Sequence, residues 1–357
     1  MSTEDNTFKW NILYFIEKML NLFWEKETVP AQFKESIIRP FLKPGKNPRK
    51  RENYRPVSLL NVFMKLYEQI IKERLVKVLE KISFFSDFQA GYRKYRSTVD
   101  HILVIQEMFY HYRYSKLGPK GATGKQPLYL VFLDLKKAFD SVPRFLLIQK
   151  LRHIGLPEKF VNVIDDLYTK NKARVRIEGH MSDYFEINSG VMQGSKLGPI
   201  LFILFIDDLL KELEASKLGA KMGEIIVTVL GFADDIVLIA DTPENVQKLL
   251  DICSNWAKRN GMSYNTDKCK VMLLNVHDKN CLFSLDKKEL EIVKIYKYLG
   301  LVICNTRKTS LFTRHVSLAI KKAEKRINCI RHFGFERDGL RIATSVWMYK
   351  VLVRPIL

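Results

Sequence analysis

An α+β fold built on an antiparallel sheet is what this sequence predicts, and three observations predict it. Residues 128–135, LYLVFLDL, form a strand-length apolar run that ends in an aspartate. Residues 225–240 hold two further apolar runs, joined through FADD at 232–235, and read as a hairpin. Around them lie helix-length periodic stretches with no βαβ regularity, which argues against a parallel sheet.

The elements follow in order. WNILYFIEKMLNLFW (10–24) places Ile12, Ile16, Met19, Leu20 and Phe23 at helical spacing, the pattern of a helix docked on a core. Its other positions lack the basic face of a membrane-surface helix. KPGKNPRKRENYRP (43–56) reads as a basic loop before the helical run NVFMKLYEQIIKERLVKVLEKI (61–82). GYRKYRST (91–98) is a second basic stretch ahead of another helix, and KLGPKGATGKQP (116–127) is a turn-rich surface connection. Beyond the 128–135 strand, helical segments are expected across about 145–185. The glycine-punctuated loop SGVMQGSKLGP (189–199) follows, and Pro199 can open a buried helix over ILFILFIDDLLKEL (200–213). A helix over 243–261 has Gly261 as its stop. Short strands at 270–274 and 292–303 precede a helical, basic tail from Thr313.

Composition narrows the function. The 357 residues carry 59 Lys and Arg against 39 Asp and Glu, a formal charge of +20. That excess points to a polyanion, nucleic acid first and an anionic membrane second. The five cysteines (253, 269, 281, 304, 329) form no CxxC pair, so neither a zinc knuckle nor a disulfide framework is expected. No apolar run approaches the roughly 18–20 residues that span a bilayer, and the polar start MSTEDNTFKW is unlike a secretory signal. The expected location is nuclear, cytoplasmic or both.

Three Asp-Asp pairs stand out. Asp165-Asp166 and Asp207-Asp208 lie in helical contexts, where paired acids mark a solvated face. Asp234-Asp235 sits between strands, preceded by Ala233, with no Gly or Asn to make an ordinary tight turn. Two readings stand: a polar turn, or a carboxylate pair whose mutual repulsion a divalent cation relieves. Asp134, at the end of LYLVFLDL, is the candidate third oxygen ligand of a Mg²⁺ site. One strand-end acid and a hairpin pair suit two-metal phosphoryl transfer.

Six motifs in order carry a resemblance: YRPVSLLNVFMKLYEQIIKERL (54–75), QAGYRKYRST (89–98), VFLDLKKAFDSV (131–142), GVMQGSKLGPILFILFIDDL (190–209), FADD (232–235) and YKYLGLVI (296–303). Together they resemble the reverse transcriptases of non-LTR (LINE-type) retrotransposons, the jockey-like elements most closely. The likeness runs from about residue 30 to the C-terminus. It implies a right-hand polymerase: an N-terminal helical extension (1–29), fingers (30–127), a palm with an antiparallel sheet (128–303, with fingers or helical insertions about 145–185) and a partial helical thumb (304–357).

The roles that the resemblance implies are these. Asp134, Asp234 and Asp235 hold two Mg²⁺ ions, with Mn²⁺ as an alternative, and the Leu135 carbonyl serves the second cation. Phe139 is the aromatic gate that leaves no room for a 2′-hydroxyl; read on its own it also fits a core phenylalanine at the start of a helix. Gln193 and Gly194 line the nucleotide pocket, and Arg55 lies against the incoming dNTP. Lys46, Arg49, Lys50 and Arg51 all offer a triphosphate-binding cation, and KNPRKR also fits a nuclear-localisation signal. Arg93 and Arg96 contact template phosphate or lie on a solvated surface. Lys268 resembles the lysine that protonates departing pyrophosphate, with Lys270 as its rival. Tyr298, Leu299 and Gly300 resemble the primer grip. Asp140 reads as structural.

The implied activity is RNA-directed DNA polymerase, with an RNA template, a DNA primer, the RNA/DNA hybrid and dNTPs as partners and no membrane. Complete elements carry an endonuclease upstream, so the chain reads as part of an element, and a catalytically silent nucleic-acid-binding remnant is the alternative. An RNA-dependent RNA polymerase is a third reading, which Phe139 and the Gln193-Gly194 loop oppose.

Overall fold

The computed structural model describes residues 3–114, 126–276, 281–305, 311–331 and 341–356. The 116–127 connection falls almost wholly outside them. At the centre stands a five-stranded sheet ordered Glu291–Ile292, Lys270–Leu274, Leu128–Asp134, Asp235–Ala240, Val229–Phe232. The three innermost strands are antiparallel to one another, as the interleaved sequence predicted.

Both faces of this sheet are covered, which explains why LYLVFLDL shows no apolar–polar alternation. Tyr129, Val131, Leu133, Ile236 and Leu238 point into one core, shared with the helices Gly198–Ala215 and Pro243–Arg259. Leu128, Leu130, Phe132, Val237 and Ile239 point into another, shared with the helix Thr98–Tyr114 and the hairpin Ile295–Tyr298/Leu301–Cys304. Only the strand ends emerge. The period-two geometry of strands therefore sends Asp134 and Asp235 out on the side of Phe132 and Val237, the side of the 295–304 hairpin.

A second sheet pairs Glu35–Leu42 with Tyr54–Leu60 and, in parallel, with Lys172–Ile177. The 43–56 loop is thus shorter than expected, since Tyr54–Pro56 belong to a strand. Pro40 and Pro56 face one another across that ladder, and proline inside a strand is what disguises it in sequence. The helical expectation for 145–185 also needs correction. Helices Arg144–His153 and Glu158–Tyr168 are present, but Lys172–Ile177, His180–Met181 and Phe185–Glu186 are strands that complete the second sheet. Likewise the expected 225–240 hairpin is two devices: Ile225–Val227 pairs with Ala220–Met222, and the hairpin proper runs from Val229 to Ala240.

The N-terminal helix Thr3–Lys26 docks by its second half, where Leu20 and Phe23 are buried and Ile16 and Met19 pack on the core. Ile12 is exposed, contrary to the periodicity. The helix Val62–Lys81 is capped by Asn61, whose side chain accepts from the Phe63 amide. Helix Pro243–Arg259 starts at a Thr242 cap and is followed by left-handed Gly261. The basic stretch 321–326 lies on the helix Thr313–Ile330. Among the described residues no helix is long and apolar enough to cross a membrane.

Candidate active site

Asp134 and Asp235 are directly opposed across the two central strands. Directly opposed residues lie about 4.5–5.5 Å apart at Cα with side chains on one face, so residues a hundred positions apart share one patch. Asp234 occupies the adjoining turn. Ala233 and Asp234 form a two-residue link between Phe232 and Asp235, with Ala233 in the left-handed region at φ +57°. For an alanine that conformation costs about 1–2 kcal/mol, and something must hold it.

The holder is the 88–91 segment. Phe88 accepts from the Gly231 amide and Ala90 donates to the Gly231 carbonyl, both at 2.9 Å. The fully buried Gln89 side chain accepts from the Ala233 amide at 3.1 Å and from Gly91 at 2.9 Å. Gly91 lies so close that a Cβ there would stand 2.4 Å from the Ala233 nitrogen. The QAG of QAGYRKYRST thus works as a clamp on the FADD turn, a role the sequence did not disclose.

The far side of Asp134 is fixed too. Its carbonyl accepts from Asn265 at 2.7 Å, and Lys136 donates to Ser263 at 2.8 Å, making a bridge between Leu135 and Tyr264.

Electrostatically the patch is loaded. Loss of water, then the charges of Asp234 and Asp134, push Asp235 up to about 6. Asp234 is raised as well, first by burial and then by Asp134, while Lys268 and Arg55 pull it down. Lys268 Nζ lies 3.0 Å from the Asp134 carboxylate. Its rival Lys270 is engaged elsewhere, 2.7 Å from Glu291. Lys268 sits in the turn before the strand and Lys270 on the strand, so the two do not compete for one partner.

An all-carboxylate donor set on two rigid strands suits a hard divalent cation. Among the described residues no three His, Cys, Asp or Glu side chains are gathered tightly enough to hold a metal. The Asp134 carboxylate bonds Lys268, and the backbone positions of Asp134 and Asp235 are directly opposed.

The 189–199 loop packs against the second sheet. The Gln193 carbonyl accepts from the Ser58 amide at 2.9 Å, and a Cβ on Gly194, at φ +111°, would meet the Ser58 carbonyl at 2.4 Å. Only glycine fits. This ties the loop to the strand that carries exposed Arg55. The Gln193 side chain donates to Asp140 at 3.1 Å. Arg144, unmarked by sequence reasoning, bonds the carbonyls of Ile187, Gly190 and Tyr168 and sets the loop's base. Phe139 is part-buried and stacked on Phe202, centroids 4.6 Å apart, with Tyr92 edge-on at 6.4 Å. Lys46 and Lys50 are exposed in the loop joining the first two strands. Leu299 and Gly300, both at positive φ, turn the 295–304 hairpin, and Tyr296 stacks on Phe132.

Three expectations are overturned. Arg93 is not free for template phosphate: Glu80 and the carbonyls of Ser86 and Gln89 occupy its guanidinium. Asp207 is fully buried, accepting from the Ser86 amide at 2.9 Å and pairing with Lys211, and Asp208 holds Lys150 and the Trp256 indole. Asp166 receives Lys34, Thr28 and the Val29 amide; only Asp165 of that pair is exposed.

Residues 42–303 match the family model for reverse transcriptase (RNA-dependent DNA polymerase). The RNA-directed DNA polymerase from mobile element jockey of Drosophila funebris is 28% identical over 327 residues, covering 90% of this chain and 34% of that protein. The probable RNA-directed DNA polymerase from transposon X-element of Drosophila melanogaster is 26% identical over 362 residues, covering 96% of this chain and 36% of that protein. The chain therefore spans about a third of the length of these relatives. Among solved structures, telomerase from Candida tropicalis truncated from its C-terminal domain gives a TM-score of 0.53 at 16% identity, covering 78% of this chain and 55% of that one. The apo telomerase from the same organism gives 0.52 at 14%, covering 86% and 54%. These structural likenesses concern fold alone. The family match encloses both aspartate-bearing strands, the Gln89 clamp and the Gln193 loop, and the chain belongs to the reverse transcriptase family, with its right-hand polymerase fold.

Proposed function

We propose that this chain adds dNTPs to a primer 3′ end on an RNA template, as an RNA-directed DNA polymerase from a mobile element. The observation that carries the reading is the opposition of Asp134 and Asp235 across two strands, with Asp234 in the clamped turn beside them. Asp134, Asp234 and Asp235, with the Leu135 carbonyl, would hold two Mg²⁺ ions. When bound, the cations supply the charge that favours attack by the primer hydroxyl and steadies the departing pyrophosphate.

The chain's own residues do the rest. Carboxylates on clamped strands need little reorganisation to meet developing charge, which is what preorganised electrostatics require. Arg55, on the strand tied to the Gln193-Gly194 loop, presents a planar guanidinium to the triphosphate or base. Lys46 and Lys50 add positive charge at the loop tip. Phe139, backed by Phe202, is a rigid floor beneath the sugar. Lys268, once released from Asp134, is the proton donor to pyrophosphate. In domain terms, 30–127 serve as fingers, 128–303 as palm and 304–357 as a partial thumb. The 172–186 strands join the fingers sheet.

The test is primer extension on an RNA template with Mg²⁺, wild type beside Asp134→Ala and Asp234→Ala. Extension by the wild type that both substitutions abolish supports the enzyme. Template binding without extension, in a folded sample, favours the silent remnant.

A further inference from the structure

Tyr92 has no role in the account so far, yet its ring touches Phe139. The clamp segment ends at Gly91, pressed on the Ala233 nitrogen. The next residue is Tyr92. Tyr92 takes φ +57°, and its side chain is 53% exposed. A bulky residue in the left-handed region costs about 1–3 kcal/mol, and half-burying an aromatic ring returns an amount of the same order. The exposed half of the ring is open to a ligand.

The ring's neighbours say which one. Tyr92 meets Phe139 edge-to-face, centroids 6.4 Å apart and planes at 83°. Phe139 is stacked on Phe202 on its other side, at 4.6 Å and 17°, and cannot recede. The two rings thus form a corner, with Tyr92 as its exposed wall toward the FADD turn.

We propose that Tyr92 is a second specificity-determining residue of the nucleotide pocket, its ring packing against the sugar of the incoming nucleotide beside Phe139. This rests on the polymerase reading above. A corner of two rings confines a sugar on two sides, where one ring confines it on one. Truncating either should loosen discrimination at the 2′ position, and truncating both should be non-additive because they share one contact.

The test needs no chemistry. Full-length chain is assembled on an RNA template with a primer ending in a 3′-deoxynucleotide, and dissociation constants for dATP and ATP are compared. Wild type is set beside Tyr92→Phe, Tyr92→Ala, Phe139→Val and the double substitution. The expected result is a preference for dATP in the wild type and in Tyr92→Phe, which keeps the ring. In Tyr92→Ala that preference falls about tenfold, the scale of one lost contact in a small pocket, with unchanged thermal unfolding. The Phe139→Val and Tyr92→Ala losses then combine to less than their product. A wild-type preference that survives Tyr92→Ala overturns the proposal, as does a wild type without preference. A sugar preference without extension in the parallel primer assay strikes at the enzyme reading alone.

Discussion

Two Asp-Asp pairs in this chain are chemically identical and do opposite things. Asp207-Asp208 is satisfied from within: Ser86, Lys211, Lys150 and Trp256 all bond to it, and it joins the helix Gly198–Ala215 to the 86 region and to the helices at 144–153 and 243–259. Among the described residues, Asp234-Asp235 has no hydrogen bond or ion pair to another side chain. Its near neighbours include another acid, Asp134, and the clamp spends its bonds on Gly231 and Ala233 backbone rather than on the carboxylates. The contrast teaches that a buried acid with partners is architecture, whereas acids forced together on a rigid support are waiting for a counter-charge.

The sharpest way to break this comparison is to exchange the losses. Asp134→Ala or Asp234→Ala should cut primer extension by about a thousandfold or more and leave thermal unfolding unharmed. Asp207→Ala should do the reverse. It loses a charged acceptor for a buried amide and should cost about 2–3 kcal/mol of stability, with activity per folded molecule retained. Urea unfolding and extension assays on the same preparations check both arms.

Next in size is the clamp. In Gly91→Ala the new methyl meets the Ala233 nitrogen at 2.4 Å, and backbone must move. A shift near 1 Å at a reacting centre costs about a hundredfold, so extension should fall by that order while the fold, by circular dichroism, persists.

Two arginines of the motifs, Arg55 and Arg93, differ in the same sense as the aspartates. Arg55 is exposed and without a hydrogen bond described for its side chain, whereas Arg93 is enclosed by Glu80, Ser86 and Gln89. Arg55→Ala should raise the KM for dNTP about tenfold, the worth of one charge-assisted contact. Arg93→Ala should leave that KM alone and lower the unfolding midpoint instead.

The smallest effect is electrostatic. Asp235 is held at about 6 against 3.8 for the free side chain. The folded chain therefore binds the proton more readily than the unfolded one. Stability falls as pH rises from 3.8 toward 6, and the penalty is complete above 6. Asp235→Asn, without divalent cation, should raise Tm near neutral pH, and the gain should vanish below 3.8.

Much of this was legible in the sequence. LYLVFLDL and FADD announce buried strands because nothing polar interrupts them until the aspartates, and the helices at 62–81 and 243–259 carry their own caps. The strands at 35–42 and 172–186 were not legible. Pro40 and Pro56 disguise one, and the other alternates charged and apolar residues too briefly to stand apart from helix. Asp207 was misread although a signal existed. ILFILFI is apolar all round, so its helix has no wet face on which an acid could rest. The clamp was invisible, because a glutamine that bonds backbone across 144 residues leaves no local pattern.

The central claim is that Asp134, Asp234 and Asp235 act together on divalent cations. Mn²⁺ binding, followed by electron paramagnetic resonance on the chain with RNA template, 3′-deoxy primer and dNTP, tests it most directly. Saturable binding that either Asp134→Ala or Asp234→Ala removes, and Asp207→Ala keeps, is the expected result. Equal Mn²⁺ binding in all four proteins would contradict it.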